Sequence, residues 1–368
     1  MALAAISMTA LTRSVGRAAR GLPTAIGASA ADILSVATGS ARFDGRSFSN
    51  PEPSHVLSLR QGLGLIPALI RHRGHGRPPR TIPLVTAPPS ARAGELAVTW
   101  LGHATCLVEL DGRFVLTDPV WSQRVSPSRT VGPARLHPMP IVIGQLPRLS
   151  AVVISHDHYD HLDLDTVREL LVTQTAPFVV PLGVGAHLRR WGVPQDRIIE
   201  LDWEGSTTLD AIDICCTPCR HFSGRGLRRN TTLWSSWALI GTHHRVFFGG
   251  DTGYTTAFTE IAHRWGPFDV TILPIGAYGD AWPDIHLNPE EAVAAHRDLG
   301  GALMIPIHWA TFDLALHPWA EPIQRLRAAG GATRIATPRP GERVDPDKIA
   351  AAEDWWDTTE GGRPAPAP

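Results

Sequence analysis

Histidine and aspartate are concentrated in residues 155–163, which read S-H-D-H-Y-D-H-L-D. His156 and His158 are two residues apart, so an extended or turning backbone can direct both rings at one point. Asp160 and His161 then add a carboxylate and another imidazole. These groups are ligands for zinc and similar borderline metals. Because polar groups this dense are costly to bury without a strong partner, the pattern predicts a metal site.

The strand that must position this motif is AVVIS, residues 151–155, a short apolar stretch typical of a buried strand. Three other apolar stretches end in a candidate ligand: AIDICCTP leads to His221, RVFFGG to Asp251 and ALMIPI to His308. Taken alone, each of these three could be an ordinary turn or strand-end residue. Together with the first motif they predict a binuclear metal site at the C-terminal ends of strands.

Further elements are predicted from local pattern. LAVTWL, TCLVEL and RFVLT are strand candidates from residue 96 onward, and Asp111-Gly112 predicts a tight hairpin. A helix is predicted from 163 to 172, and Asn288-Pro289 marks the start of another. FVVPL, RIIEL, TTLWSSWALI and VTILPI are additional strand candidates. This order of strands and helices indicates sheets packed together with helices outside.

The motif resembles the metallo-β-lactamase superfamily, in which H-x-H-x-D-H is followed by His, Asp and His in that order. Further short sequence motifs are W-L-G-H-A-T (100–105), L-T-D-P-V-W (116–121), H-F-S-G-R-G (221–226), G-D-T-G-Y (250–254) and I-H-W (307–309). They resemble the branch of N-acyl-phosphatidylethanolamine-hydrolysing phospholipase D and its bacterial relatives. The resemblance extends over about residues 95–345 and implies an α/β fold, an αββα sandwich of two mixed sheets packed face to face.

The resemblance also implies which residues hold two Zn²⁺ ions, although iron or manganese could occupy the same ligands. The first zinc would take His156, His158 and His221. The second would take Asp160, His161 and His308, and Asp251 would bridge both. The candidate catalytic residues are Asp160, Asp251 and His286. His286 precedes the Asn288-Pro289 helix start and could donate a proton or hydrogen-bond a phosphate.

Other residues near the motif are weaker candidates. His103, in the G-H-A-T turn, could lie near the metals, and for both His103 and His286 a structural loop histidine is the alternative. Tyr159, Arg225 and Tyr278 are candidates for substrate contact or for supporting the ligands. A thiolate site at the three clustered cysteines is disfavoured, because their spacing is irregular and no second cysteine pair follows.

The function expected from the resemblance is a zinc-dependent phosphodiesterase of phospholipase D type. It would hydrolyse N-acyl-phosphatidylethanolamine or a related phospholipid through a hydroxide that bridges the metals. The alternative is a metal-dependent hydrolase of a soluble lactone, cyclic phosphodiester or ester, since function depends on the pocket rather than the fold. A membrane-surface binding protein with a structural metal is a third hypothesis, which the complete set of ligands opposes.

Four parts of the chain are expected from composition. Residues 1–40 are interpreted as a disordered or targeting tail, and 41–95 as an N-terminal extension with an apolar and basic segment at 56–80. Residues 96–345 would form the hydrolase domain, and 346–368 a C-terminal tail. The segment at 56–80 could lie on an anionic membrane surface or pack as an ordinary helix and loop. A cytoplasmic location with peripheral membrane contact is expected, and export stays open.

The overall composition excludes several classes of protein. The chain has 368 residues, with 34 Lys and Arg against 35 Asp and Glu, which excludes a strongly basic nucleic-acid-binding protein. No apolar run is long enough to span a bilayer. Four cysteines form no disulfide framework. The 17 histidines are the notable feature, and the oligomeric state, including a homodimer, stays open.

Overall fold

The computed structural model describes residues 22–55, 64, 67, 71, 74–226, 228–349 and 354–357. Within these residues the strands are β1 Leu96–Gly102, β2 Thr105–Leu110, β3 Arg113–Thr117, β4 Ala151–Val153, β5 Phe178–Pro181, β6 Ile198–Leu201, β7 Ser206–Leu209, β8 Ile212–Thr217, β9 Ser236–Ile240, β10 Arg245–Phe248, β11 Val270–Pro274, β12 Leu303–Ile307 and β13 Arg343–Val344. The α-helices are α1 Leu22–Ile26, α2 Ala30–Ala37, α3 Leu164–Thr173, α4 Val184–Arg190, α5 Ala257–Trp265, α6 Pro289–Asp298 and α7 Glu321–Gly330. Short 3₁₀ turns lie at Ile143–Gln145 and Gln195–Arg197.

The strands form two mixed sheets. The first has seven strands in the order β13-β1-β2-β3-β4-β5-β6, and the second has six in the order β12-β11-β10-β9-β8-β7. Strands β3 to β6 run parallel, as do β10 to β12, and the other neighbours run antiparallel. Consequently β1, β3 and β4 end at one edge of the first sheet, and β8, β10, β11 and β12 end at one edge of the second.

The sheets pack face to face through a core that alternates along each strand. Val98 and Val108 of the first sheet belong to the same buried cluster as Phe248 and Ile272 of the second, which are register partners on one face. Leu107 points to the opposite face, where it joins a second cluster that includes apolar residues of α3 and α4. Apolar residues of α5, α6 and α7 cover the outer face of the second sheet. The expected αββα sandwich is confirmed.

Two local predictions depend on particular residues and agree with the structure. Asp111 and Gly112 connect β2 to β3 with φ of 47° and 77°, the left-handed pair that a two-residue hairpin requires. The Asn288 side chain caps α6 by accepting a hydrogen bond from the Glu291 backbone, and the Glu291 carboxylate accepts one from the Asn288 backbone. Pro289 follows at the first helical turn, where its missing N–H has no consequence.

The interpretation of residues 1–40 as a tail is wrong for 22–40. Residues 1–21 lie outside the described part of the chain. The α2 helix begins with a capping box at Ser29, and its Ile33 and Ala37 are buried. The Trp191 indole donates a hydrogen bond of 2.7 Å to the Thr24 carbonyl in α1. Burial of apolar side chains by these short helices therefore outweighs the small-residue composition that suggested disorder.

Residues 354–357 of the expected C-terminal tail also pack on the domain. Trp356 is 3% exposed, and Trp355 stacks on Trp309 with ring centroids 5.1 Å apart. Trp309 stacks in turn on Trp100, 5.9 Å away with 7° between the ring planes. This row of indoles, called the tryptophan stack below, ties the chain after β13 to the end of β12. Residues 350–353 and 358–368 lie outside the described part.

The expected extension at 41–95 is described in two pieces. Phe43 and Phe48 pack against each other, and Phe48 is fully buried. The apolar half of the segment at 56–80 lies mostly outside the described residues. No helix among the residues described combines the length and the apolar character that crossing a bilayer requires.

A buried histidine far from the candidate ligands should make stability depend on pH. His296 Nδ1 lies 2.7 Å from Thr271 Oγ1, and burial lowers the pKa of His296 to about 4. The pKa of an unfolded histidine is about 6.5, so this group stabilises the fold above pH 6.5 and loses that contribution as pH falls toward 4. Between pH 7.5 and pH 5 the free energy of unfolding of wild type should fall, and that of metal-free His296→Gln should fall by about 1–2 kcal/mol less. Urea unfolding at the two pH values measures both. His263→Gln, at an exposed position of α5, is the control, and equal pH dependence in both variants would contradict the prediction.

Candidate binuclear metal centre

The loops that follow the strand ends converge at one edge of the sandwich. The turn after β1 and the loops after β3 and β4 come from the first sheet. The loops after β8, β10, β11 and β12 come from the second. They bring together seven predicted ligands from both sheets: His156, His158, Asp160, His161, His221, Asp251 and His308.

One group of donors forms around three imidazoles. His158 Nδ1 lies 2.7 Å from His156 Nε2 and 3.4 Å from His221 Nε2. Asp251 Oδ2 lies 4.0 Å from His156 Nε2 and 3.8 Å from His221 Nε2. The four donor atoms all lie within 4.8 Å of one another, which is the size of a first metal site.

A second group shares the same aspartate. Asp160 Oδ2 lies 3.5 Å from His161 Nε2 and 3.5 Å from His308 Nε2. Asp251 Oδ2 lies 3.2 Å from His161 Nε2, and Asp251 Oδ1 lies 3.1 Å from His308 Nε2. Asp251 therefore stands between the two groups, as the family resemblance implies for a bridging carboxylate.

The unsatisfied atoms of this cluster show that metal ions fit it. His161 Nε2, His308 Nε2 and Asp251 Oδ1 are buried and have no hydrogen-bond partner. Leaving such atoms without a partner costs free energy, since each has given up its contact with water. Cations coordinated by these atoms would satisfy all three, so two three-residue groups joined by one carboxylate fit two metal ions.

The electrostatics of the cluster also favour cations. Burial opposes ionisation of Asp251, yet His161 and His308 hold the pKa of its carboxyl well below its usual range. Burial lowers the pKa of His308, but Asp251 and Asp160 outweigh burial and raise it to about 9. These two carboxylates, Asp251 buried and Asp160 half-buried, thus attract positive charge to the point where the five histidine ligands meet.

Asp118, which sequence reasoning missed, supports ligands of both groups. Its carboxylate is fully buried after β3 and accepts hydrogen bonds from the Ser155 backbone at 2.7 Å and the Ser155 hydroxyl at 2.6 Å. His161 Nδ1 lies 2.6 Å from the same carboxylate, and Ser155 Oγ lies 2.9 Å from His156 Nδ1. Orienting the second ring nitrogen fixes how a histidine presents the first to a metal. Asp118 lies in the sequence motif L-T-D-P-V-W, which the family resemblance already included. A single Asp after a strand, however, gives little reason to predict a role for it.

Close approach of the two sheets depends on one glycine. Gly250 has a φ of 57°, and a Cβ there would lie 2.5 Å from the Ser155 Cβ. A larger residue would therefore push the loop that carries Asp251 away from the loop that carries His156. His103 and His308 themselves have φ of 54° and 63°, a conformation that is uncommon outside glycine and concentrates at functional sites.

The structure places His103 and His286, the two weaker histidine candidates, beside the ligands. His103 Nε2 lies 3.0 Å from Asp160 Oδ2, and its ring lies 4.0 Å from that of His308. Burial lowers the pKa of His103 to about 3, so the neutral ring can donate to Asp160. His286 Nδ1 is buried without a partner, 3.9 Å from Asp251 Oδ2. Burial lowers the pKa of His286 to about 4.

The three remaining candidates contact other parts of the protein. The Tyr159 hydroxyl donates to the Arg225 carbonyl, and the Arg225 guanidinium lies over the Tyr159 ring. Arg225 also donates to the carbonyls of Asp157 and Leu162, at 2.7 and 2.8 Å, and so holds the ligand loop in shape. Tyr278 donates to Glu321 at 2.7 Å. These contacts describe structural roles for Tyr159 and Arg225 and direct the Tyr278 hydroxyl to α7.

A cleft of about 230 Å³ opens beside the two ligand groups. Its inner end is formed by ligand residues and His286, and its walls are mostly apolar. The wall residues are Phe222, Arg229, Ala277, Trp282, Ile285 and Leu314. The site can therefore combine metal chemistry with a largely apolar approach.

Comparison with known proteins identifies the family. Residues 113–309 match the β-lactamase superfamily domain. An N-acyl-phosphatidylethanolamine-hydrolyzing phospholipase D of Caenorhabditis elegans is 36% identical over 307 residues, covering 77% of this chain and 86% of the relative. The chain belongs to the metallo-β-lactamase superfamily. This confirms the resemblance on which the ligand assignment was based, and the protein is a metal-dependent hydrolase of that superfamily.

Other relatives of this superfamily member extend the comparison. A protein of Mycobacterium tuberculosis, described as uncharacterized, is 55% identical over 350 residues, covering 92% of this chain and 94% of the relative. The mitochondrial N-acyl-phosphatidylethanolamine-hydrolyzing phospholipase D of Saccharomyces cerevisiae is 33% identical over 240 residues, covering 62% of this chain and 50% of the relative.

Solved structures share the superfamily fold. The metallo hydrolase Igni18 of Ignicoccus hospitalis has a TM-score of 0.52 at 24% identity, covering 68% of this chain and 97% of that one. The isothiocyanate hydrolase from Delia radicum gut bacteria has a TM-score of 0.54 at 19% identity, covering 68% and 98%. At these identities the likeness is one of fold.

Proposed function

We propose that this hydrolase uses two zinc ions to cleave the phosphodiester bond of N-acyl-phosphatidylethanolamine or a related phospholipid. Phosphatidic acid and an N-acylethanolamine would be the products, as in a phospholipase D. The observation that carries the proposal is Asp251, which stands between two ligand groups at the inner end of an open, mostly apolar cleft. The substrate proposed is the one for which the worm and yeast relatives are named.

The reaction joins a water oxygen to phosphorus and breaks the bond from phosphorus to the ethanolamine oxygen. Zinc bound by the two groups would lower the pKa of water and stabilise negative charge on the phosphoryl oxygens. Asp251 holds the groups together, while Asp118 and Ser155 fix the rings of His161 and His156. The leaving oxygen takes a proton. His286 lines the cleft, and because its low pKa keeps the ring neutral, it would relay a proton from water to that oxygen.

The cleft walls suit a lipid better than a small polar ester. Phe222, Trp282 and Leu314 offer apolar surface beside the ligands. The volume is below the roughly 300–1,000 Å³ of pockets that enclose drug-sized molecules. A diacyl lipid would therefore place its headgroup at the ligands and leave most of its acyl chains outside, in the bilayer.

Peripheral contact with a membrane from the cytoplasmic side is part of this proposal. His55, before the apolar and basic segment, is held by Asp284, with its backbone N–H at 2.8 Å and Nδ1 at 2.7 Å. The His75 carbonyl accepts a hydrogen bond of 2.9 Å from the Trp319 backbone. Asp284 immediately precedes Ile285 and His286 of the cleft, so His55, the described residue before the segment, lies close to the site.

The test is direct incubation of purified, zinc-loaded protein with N-acyl-phosphatidylethanolamine in mixed micelles. We expect both products by mass spectrometry, and a loss of both after chelation that added zinc reverses. Fully metal-loaded protein that releases neither product would refute the proposal. Hydrolysis of soluble esters or lactones without binding to liposomes would instead support the soluble-substrate alternative.

Substitution of His286 should separate catalysis from metal binding. Because His286 lines the cleft beside Asp251, His286→Gln should lower kcat by about 10²-fold, the lower range for loss of a general acid or base. Metal content, measured by plasma mass spectrometry, should stay at two equivalents. Loss of one equivalent would make His286 a ligand, and unchanged kcat would remove it from the reaction.

A further inference from the structure

Arg229 is the permanently charged cation among the described residues that line the cleft. The carboxylates of this lining are Asp160 and Asp251, which face the histidine ligands. The remaining wall is apolar. A negatively charged substrate entering the cleft therefore meets a guanidinium on the wall before it reaches the ligand groups.

The loop that carries Arg229 is closed at its base. The Ser223 backbone donates to Asn230 Oδ1 at 3.2 Å, and the Asn230 backbone donates to the Ser223 carbonyl at 2.9 Å. This reciprocal pair brings Arg229 next to Phe222, and the guanidinium lies 5.2 Å from the Phe222 ring centroid. A cation over an aromatic face is held there by the charge distribution of the ring.

Phe222 links this cation to the candidate metal ligands. Its ring packs edge-on to His158, with centroids 4.5 Å apart, and lies 4.8 Å from the His221 ring. The guanidinium is therefore one aromatic ring away from two ligands of the first group. Arg228, the preceding residue, is also exposed but does not line the cleft, so the loop presents one arginine to the substrate and one to solvent.

The charge of a phospholipid headgroup changes when its amine is acylated. Phosphatidylethanolamine carries an ammonium beside its phosphodiester, whereas N-acylation leaves the phosphodiester as the remaining charge of that headgroup. A guanidinium attracts a phosphodiester through charge-assisted hydrogen bonds and repels an ammonium nearby. Resting on the proposed function, we propose that Arg229 contacts the phosphodiester and selects phospholipids whose headgroup amine is acylated.

Binding tests the anion contact without requiring turnover. Dihexanoyl-phosphatidic acid, a short-chain form of the expected product, is titrated into the zinc-loaded full chain by calorimetry. Arg229→Ala should weaken its affinity about 10-fold, Arg229→Lys less, and the control Arg228→Ala by under twofold. The loss in Arg229→Ala should shrink in 0.5 M salt, which screens an exposed charge. Absence of binding by wild type, or equal affinities of Arg229→Ala and Arg228→Ala, would overturn the contact.

Kinetics test the selection. The ratio of kcat/KM for N-acyl-phosphatidylethanolamine to that for phosphatidylethanolamine should fall about 10-fold in Arg229→Ala, through a higher KM for the N-acylated lipid with kcat nearly unchanged. An unchanged ratio overturns the selection. A wild type that binds phosphatidic acid through Arg229 and hydrolyses neither lipid refutes both the proposed reaction and the selection, and leaves the anion contact standing.

Discussion

The Asp251→Ala variant is expected to lose at least about 10³-fold in kcat/KM and one or both metal equivalents. The physical reason is the position of its carboxylate, whose Oδ2 faces His161 at 3.2 Å and whose Oδ1 faces His308 at 3.1 Å. The same Oδ2 lies 3.8 Å from His221 of the other group. Removing one side chain therefore takes a donor and a compensating charge from both groups. Metal content by plasma mass spectrometry and turnover of the lipid are the measurements.

Asp165→Ala is the matched control for this prediction. Asp165 lies on α3 and is paired with Arg129 at the surface, so its loss removes a carboxylate without touching the ligands. Surface ion pairs contribute little to stability, and the control should keep both metals and its activity. If Asp251→Ala also kept two equivalents, Asp251 would not be a shared ligand.

The second large effect is expected at Asp118, a buried residue that touches no substrate. Its carboxylate accepts hydrogen bonds from the Ser155 backbone and hydroxyl and faces His161 Nδ1. Asp118→Ala leaves these donors buried without an acceptor, which should destabilise the fold by about 3–5 kcal/mol in urea unfolding. Metal affinity should fall about 10–100-fold, because the His161 ring loses the contact that orients it.

Asp118→Asn keeps the prediction testable if the alanine variant does not fold. The amide has the shape of the carboxylate but carries less negative charge toward His161. Metal affinity, measured by competition with a chelator in folded protein, should still fall by at least about 10-fold. Wild-type affinity in folded Asp118→Asn would show that Asp118 stabilises the loop without tuning the metal ligands.

The candidate ligands could be predicted because each follows an apolar strand. Strands such as AVVIS and ALMIPI are recognisable from composition, and a chain of strands that run in one direction must end at one edge. His156, Asp251 and His308 are far apart in sequence. The sheet order nevertheless brings the Asp251 carboxylate to 4.0 Å from His156 Nε2 and 3.1 Å from His308 Nε2. Turn and cap residues were equally informative, since Asp111-Gly112 and Asn288-Pro289 act over only a few residues.

What could not be predicted depends on long-range contacts. The stretch TTLWSSWALI was predicted as one strand, but β9 begins at Ser236. Before it, the Leu233 backbone donates to the Leu182 carbonyl, and the Trp234 indole reaches the Cys219 carbonyl. These bonds to distant parts of the chain replace a strand ladder. No property of residues 231–235 alone distinguishes the two outcomes.

Side-chain direction was the other limit. Arg225 and Tyr159 lie in or beside ligand motifs, and sequence position alone left open whether they contact substrate or support the ligands. In the structure Arg225 donates to backbone carbonyls on three segments, including Ala25, Asp157 and Leu162. An arginine with five donors can equally well bind substrate or hold a loop. Only the positions of the carbonyls around it decide between these roles.

The tryptophan stack gives the protein an intrinsic optical signal next to the candidate metal centre. Trp309 follows His308 directly, and its ring lies nearly parallel to Trp100, 5.9 Å away. Stacked indoles at this separation couple their electronic transitions and produce strong near-ultraviolet circular dichroism, a signal that depends on fixed tertiary packing. Any rearrangement of the loop that carries His308 should change this spectrum, so the state of the site can be followed by light alone, without a substrate or an added label.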